Sequence, residues 1–428
     1  MSIKIGQKDL EQVYMGNANG VRKEVKSIYG NVDGRVKLLW KKYPTAAYEI
    51  TSLRKTAWYS PNYCIDGDDN TLAVFFTYTD SEKDGIKFIR VSPKKVKLSD
   101  IEFKISDILE SKTGDYPVTS VTNANGLTLL IVDTRHNYED SQGVITAYYG
   151  ERLISFDGKT GVTTDRGEIS GKGTIGLRAK CCAWQNSNGS VTFYGGGHHS
   201  GHGWNMKNTM VTISESLVAT FTNLSSLAVV DDKREKAQAI VRNDTAYIIG
   251  GSESVNNLGE HNSDYAMKVA GGVVTQGPVL NSTERYQRPT FSVLDKTGVI
   301  WACGGVSGSN YNNEATATRT VCKIAENDVV TLAENGCPDS MIGGEIDGNG
   351  NIQMGTEAAI YQYRYNSSTG TYTTLINTDT TALGYKNYKC FSDASGEILC
   401  LATNKQIGSR WYSNYGPYFV VWPKLKNK

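Results

Sequence analysis

Proline is scarce in this chain, nine residues in 428, and histidine is scarcer still at five. No stretch approaches the roughly 18 consecutive apolar residues that a membrane-spanning helix requires. The opening residues, MSIKIGQKDLEQV, contain no apolar core segment, so a secretory signal is not expected. Neither sign of charge predominates: 45 basic residues stand against 44 acidic ones, a net of +1. That balance removes the electrostatic footprint of a nucleic-acid or membrane-surface binder. The eight cysteines show no paired framework. Cys181 and Cys182 are adjacent, and Cys303, Cys390 and Cys400 lie in apolar runs, which reads as buried, reduced thiols. Cys390 and Cys400 could face each other across a hairpin, so one incidental disulfide is possible, but reduced thiols are the favoured reading.

The chain is instead rich in glycine (44) and tyrosine (25), with abundant Thr, Asn and Ser, the composition of a β protein with many turns. Charge is not evenly spread. Residues 1–45 hold nine basic and four acidic residues, a net +5, leaving −4 for the remainder. The front piece is therefore compositionally distinct from the rest of the chain.

From about residue 58 one pattern recurs seven times. An apolar run, a short polar turn, a second apolar run often ending in Gly-Gly, and then a longer connection succeed one another in order. Anchored on the Gly-Gly position, the units fall at Thr77, Asp133, Gly195, Gly250, Gly304, Gly355 and Ala402, spaced by 47 to 62 residues. A period near 50 in an all-β pattern predicts a β-propeller in which each unit is one four-stranded blade. The turns between first and second runs, such as NANG (123–126), NSNG (186–189) and DKTG (295–298), carry the Asn, Asp and Gly that tight hairpins demand. The last unit lacks a fourth strand, whereas YEITSL (48–53) precedes the first unit with none of its own. The expected architecture is a seven-bladed β-propeller over 46–428, its ring closed by this N-terminal strand and preceded by a small β-hairpin module over 1–45. Through the apolar-run-then-Gly-Gly motif the chain resembles kelch-like and galactose-oxidase-like propellers, although the Tyr and Trp that mark a kelch blade are absent or displaced in most units.

In such a fold the first-to-second and second-to-third connections emerge at opposite ends. One end here has only tight turns. The other is expected to carry long irregular loops at 133–143, 195–208, 252–264, 306–317 and 404–414, and that end is where binding usually resides. All five histidines fall there: His136, His198, His199, His202 and His261. The densest stretch is GGGHHSGHGWN (195–205). Three readings compete for it. Imidazoles could hold zinc, although the surrounding Gly and Ser exclude the helical HExxH arrangement. Trp204 could serve as a stacking platform for sugar, with the histidines as hydrogen-bonding groups. A Gly-rich loop folded over the central opening is the plainest. Tyr311 and Trp411 lie on the same end and join the candidate ligand-binding residues. The carboxylates Asp133, Glu139, Glu260, Asp264 and Glu357 could contribute an acid/base pair for glycoside hydrolysis, but none stands out and no catalytic residue is assigned. No cofactor or metal is called for.

The front piece says one thing twice. Asn17, Asn19, Gly20 and Lys23 recur as Asn31, Asp33, Gly34 and Lys37, fourteen residues on, with Tyr14 and Tyr29 before the copies and Trp40 after the second. Apolar–polar alternation around each Asn/Asp-Gly predicts two short hairpins. A sheet that small is marginal alone and is expected to dock on something. The stretch IYGNVDGRVKLLW resembles a short repeat near the N-termini of tail and baseplate-associated proteins of phages and prophages of Gram-positive bacteria. The resemblance implies attachment to a virion or tail-like particle through Tyr14, Tyr29, Arg35 and Trp40. It further implies assembly in the bacterial cytoplasm, other particle proteins as partners, a homo-oligomer on the particle, and a propeller that binds a host cell-surface ligand, a glycan in the first instance. A glycan-degrading depolymerase and a cytoplasmic kelch-type interaction scaffold are the alternatives.

Overall fold

The computed structural model describes the strands of both parts of the chain and the turns that join many of them. Its side chains are described chiefly over 120–131, 152–169, 181–195, 209–222, 237–250, 265–280, 291–304 and 321–332. The chain divides into two compact units, Met1–Ala47 and Tyr48–Lys428.

In the first unit the duplicated sequence forms two antiparallel hairpins. Tyr14–Gly16 pairs with Arg22–Glu24, and Ser27–Val32 pairs with Arg35–Lys41. Val32 stands opposite Arg35, so only Asp33 and Gly34 separate the paired strands, the Asp-Gly spacing of a two-residue connection.

The second unit is all-β among the described residues, and seven sheets account for its repeats. Five of them read consecutively as strands one to four: Asn62–Ile65 to Lys97–Lys104, Val118–Thr122 to Thr163–Glu168, Cys182–Gln185 to Ala219–Asn223, Gln238–Arg242 to Val273–Val279, and Phe291–Leu294 to Val330–Leu332. The sixth, Met341–Ile346 to Thr371–Asp379, gains a fifth strand from Lys426–Asn427 near the C-terminus, with Ile376 opposite Asn427. The seventh takes Lys386–Ser392, Ile398–Thr403 and Tyr418–Val421 from the end of the chain and its fourth strand, Ala47–Ile50, from the beginning. The expected closing strand is therefore in place. The third strand of the seventh sheet ends at Val421, and Lys426–Asn427 pairs with the sixth sheet instead.

First strands of successive sheets adjoin in series from Asn62–Ile65 through Lys386–Ser392, and the second strands explain why. Val191–Tyr194 and Ile300–Cys303 are buried at every position, as expected of a strand covered on both faces. Their alternate residues serve alternate neighbours. Phe193 packs with Leu129, Ile131 and Leu153 of the second sheet, whereas Tyr194 packs with Ala246, Ile248 and Met267 of the fourth. Likewise Ile300 and Ala302 join Tyr247 and Ile249, and Trp301 and Cys303 join Ile352 and Met354 of the sixth. Period-two side-chain alternation thus divides each strand between two cores.

The turns repeat as closely as the cores. Residues 123–127, 186–190 and 295–299 share one hairpin geometry, in which the first residue's amide donates to the fifth residue's carbonyl at 2.8–2.9 Å. The fourth residue is Gly126, Gly189 or Gly298, each with φ near +80°, the left-handed position at which a Cβ is penalised. Two third-to-fourth turns copy this geometry with Leu217 (φ 65) and Asp328 (φ 64) in the glycine slot. Leu217 offsets that conformation by packing on the core between the second and third sheets. Asp328 is held instead by a cluster of charged and polar side chains between the fourth and fifth sheets.

Candidate ligand-binding hairpins and a buried charge cluster

The Gly-Gly motif has a definite geometric role. Gly195, Gly250 and Gly304 end the second strands of the third, fourth and fifth sheets with φ of 75, 68 and 63. The left-handed kink ends each main sheet, and the chain then pairs with itself in a separate small hairpin. Gly197–Ser200 pairs with Gly203–Met206, Ser252–Ser254 with Glu260–Asn262, and Val306–Ser307 with Thr316–Ala317. Where no glycine stands, at Asp133, the strand runs on. Leu127–Glu139 and Ile145–Asp157 form a continuous thirteen-residue ladder. The expectation of long irregular loops at 133–143, 195–208, 252–264 and 306–317 is thus corrected: β-hairpins occupy much of them, because the alternating sequences past the kink satisfy their own backbone groups.

This architecture places the candidate residues by register. His136 stands opposite Tyr148 in the long ladder. His199 is paired with Trp204 and His198 with Asn205, so the two pairs occupy opposite faces of one hairpin. His261 is paired with Glu253 in the next. The two hairpins are neighbours, since Gly203–Met206 and Ser252–Ser254 approach within 8 Å between Cα atoms. Trp204 and Glu253 therefore lie on adjoining strands, with His199 and His261 one strand further out on either side. The metal reading concerned the first hairpin alone. That reading joined His198 or His199 to His202, and His202 lies outside the described residues. Among the described residues no group of three or more His, Cys, Asp or Glu could hold a metal. His202, Tyr311 and Trp411 lie outside the described residues, as does the loop at 404–414. Sequence reasoning missed Glu253 and Asn205. The runs after Gly-Gly that pair there, SES and EHN, are too short and polar to stand out as strands in the sequence.

The attachment candidates also have register positions. Tyr14 faces Glu24, Tyr29 faces Leu38, Arg35 faces Val32 and Trp40 faces Ile28.

At the opposite, tight-turn end, four polar side chains converge between the fourth and fifth sheets. Arg242 is 4% exposed. Its Nη1 donates to the carbonyls of Gly298, Ile324 and Ala325 at 2.9–3.0 Å. Its Nη2 donates to Tyr247 Oη at 2.7 Å and to Asp328 Oδ1 at 2.8 Å. Tyr247 donates onward to the same Asp328 oxygen at 2.8 Å, and Lys268 Nζ reaches Oδ2 at 2.7 Å. The guanidinium also lies over the Tyr247 ring, 4.5 Å from its centre. Partial burial would push the Asp328 carboxyl up. The hydrogen bonds from Lys268 and Tyr247 and the charges of Lys268 and Arg242 outweigh it and hold the carboxyl below its usual 3.8. The Asp328 hydrogen bond, against burial, correspondingly raises Lys268. Every member has a partner, so the cluster joins the two sheets.

No family model matches the sequence, and no curated protein matches it. Solved structures do. A fungal alcohol oxidase of the AA5 family, in complex with copper, superposes with a TM-score of 0.55 at 13% identity, over 84% of this chain and 73% of the oxidase. YjhT aligns with a TM-score of 0.45 at 9% identity, over 88% of this chain and all of YjhT. The likeness to the oxidase shows the fold: a kelch/galactose-oxidase-like β-propeller.

Proposed function

We propose that this protein is a structural component of a virion or phage-tail-like particle, attached through residues 1–45, whose propeller binds a host cell-surface glycan on its hairpin-bearing end. The observation that carries the ligand reading is the adjacency of two short hairpins, one bearing His199 opposite Trp204 and the other Glu253 opposite His261. An indole supplies a broad apolar face for a sugar ring, and carboxylate and imidazole groups match its hydroxyls. The attachment reading is supported by the separate, basic, internally duplicated N-terminal unit and by the resemblance of its repeat. In this reading the other particle proteins are its partners, and several copies assemble together on the particle.

Purified full-length protein is tested on arrayed envelope polysaccharides of Gram-positive bacteria, and a variant lacking residues 1–45 is tested for incorporation into particles. Glycan binding that survives the truncation, with incorporation lost, is the expected result. Normal incorporation of the truncated protein removes the attachment role, and binding to no polysaccharide removes the glycan reading.

A second reading, an enzyme acting on glycans or on alcohols, is favoured by the AA5 oxidase being a copper enzyme on the same fold. Release of reducing ends from polysaccharide, or peroxide from alcohols after copper loading, replaces the binding role with catalysis.

A further inference from the structure

We propose that Cys390 and Cys400 form a disulfide when the folded protein meets a low-molecular-weight disulfide such as oxidised glutathione. The two residues are direct cross-strand partners in the seventh sheet. Residues so placed have Cα atoms about 4.5–5.5 Å apart, within the roughly 4.4–6.8 Å range that a disulfide spans.

Register distinguishes this pair from the other described cysteines. Cys182 stands opposite Tyr194 and Cys64 opposite Ala73. Cys303 and Cys322 lie on adjacent strands, but Cys303 is paired with Val321 and Cys322 with Ala302. That one-residue offset sends them to different cores, Cys303 toward the sixth sheet and Cys322 toward the fourth. Neither is in a disulfide, nor are the adjacent Cys181 and Cys182.

The equivalent site in other sheets explains why the first strand accepts a small residue there. Counting from the turn, the pair equivalent to Cys390–Cys400 is Ser120–Leu130 in the second sheet, Ala183–Phe193 in the third and Ser292–Ala302 in the fifth. Of these four sheets, only the seventh places a thiol on both strands.

The reaction balances as two exchanges. One thiolate attacks oxidised glutathione, giving a mixed disulfide and one glutathione. The other attacks the mixed disulfide, releasing the second glutathione. Two protein thiols are oxidised, one glutathione disulfide is reduced, and both thiol protons leave on the glutathiones.

The test uses the full chain, prepared reduced and incubated in a glutathione redox buffer, then alkylated without reductant and digested with trypsin. Cleavage after Lys389 and Lys405 puts both cysteines in one peptide, 390–405. The expected peptide lacks two hydrogens and carries no alkyl group, and the oxidised protein melts on the order of a few °C above the reduced form. Cys390→Ser abolishes the change, and Ser120 and Ser292 at the equivalent positions indicate that serine is tolerated there. A peptide alkylated at both cysteines after incubation of the folded protein overturns the proposal. A glutathione adduct trapped on either one overturns it equally.

Discussion

Arg242 Nη2 lies 2.8 Å from Asp328 Oδ1, linking the first strand of the fourth sheet to the outer turn of the fifth across 86 residues of sequence. The pair explains why an aspartate occupies a left-handed slot that glycine fills elsewhere. Holding φ at 64 costs a non-glycine residue about 1–2 kcal/mol, and the carboxylate's three donors oppose that cost. Arg242→Ala strips three carbonyls, the Tyr247 hydroxyl and Asp328 of a shared donor at a buried site. The expected loss is about 3–5 kcal/mol, read from urea unfolding. Lys268→Ala removes a half-exposed partner from the same carboxylate and is expected to cost less than about 1 kcal/mol. Equal losses from the two variants would refute this division of roles.

The same carboxylate gives a pH signature. Asp328 is depressed in the fold, so its contribution is complete above the unfolded carboxyl value and is lost as pH falls through the lower folded value. Lys268 is raised above 10.5, so its contribution is complete below that value and is lost as pH rises through the folded value. Asp328→Asn keeps a residue that tolerates the left-handed conformation but removes the charge. The stability difference between wild type and this variant is expected to be flat from about pH 5 to 9. It narrows below about pH 4. A difference that grows on acidification contradicts the assigned direction.

The glycines separate two kinds of constraint. Gly277 has an ordinary backbone conformation, but a Cβ there would sit 2.7 Å from the Ala266 carbonyl oxygen. Backbone cannot step aside as a side chain can, so Gly277→Ala is expected to cost about 1–3 kcal/mol. At Gly271 nothing lies within 4 Å of a Cβ and only the φ of +57 opposes it, for about 1 kcal/mol. Urea midpoints of the two variants check the order.

Much of this architecture is legible in the sequence because its causes are local. Asn-x-x-Gly and Asp-x-x-Gly turns, period-two apolar runs and the Gly-Gly kinks each act within a few residues. The closing strand was legible by counting, since one unit lacked a strand that another segment could supply. The hairpins beyond the kinks were harder to see. Runs such as SES and EHN are too short and polar to register as strands, and their pairing comes from the scaffold holding both ends together. The Arg242 cluster was invisible for a different reason: its members are 5 to 86 residues apart, and no local pattern brings Arg242 to Asp328.

Ring closure makes a sharp comparison between two truncations. Ala47–Ile50 is the outer strand of the seventh sheet, beside Tyr418–Val421. Removing residues 1–45 leaves that strand in place, and the propeller is expected to melt as the full chain does. Removing residues 1–50 bares the edge of Tyr418–Val421, an unpaired ladder open to association. Lower melting and concentration-dependent light scattering are expected from the longer truncation alone. Identical behaviour of the two proteins would show that the strand is dispensable.

Trp204 gives the decisive test of the hairpin surface. It stands opposite His199 on a hairpin that hangs from the sheet beyond Gly195 rather than inside its four-stranded ladder. If the indole serves as a stacking platform, Trp204→Ala should weaken adsorption to cells at least tenfold, a loss of about 1.4 kcal/mol. Unfolding free energy should change by less than about 0.5 kcal/mol. His199→Ala with His202→Ala should act in the same direction, because hydrogen bonds to sugar hydroxyls are lost while the main core is untouched. Should the hairpin instead plug the opening of the ring, both variants leave buried groups unpaired at about 1–3 kcal/mol each. Melting then falls first, and adsorption declines only in proportion to the folded protein that remains. Wild-type melting together with wild-type adsorption in all three positions would remove this hairpin from the functional account.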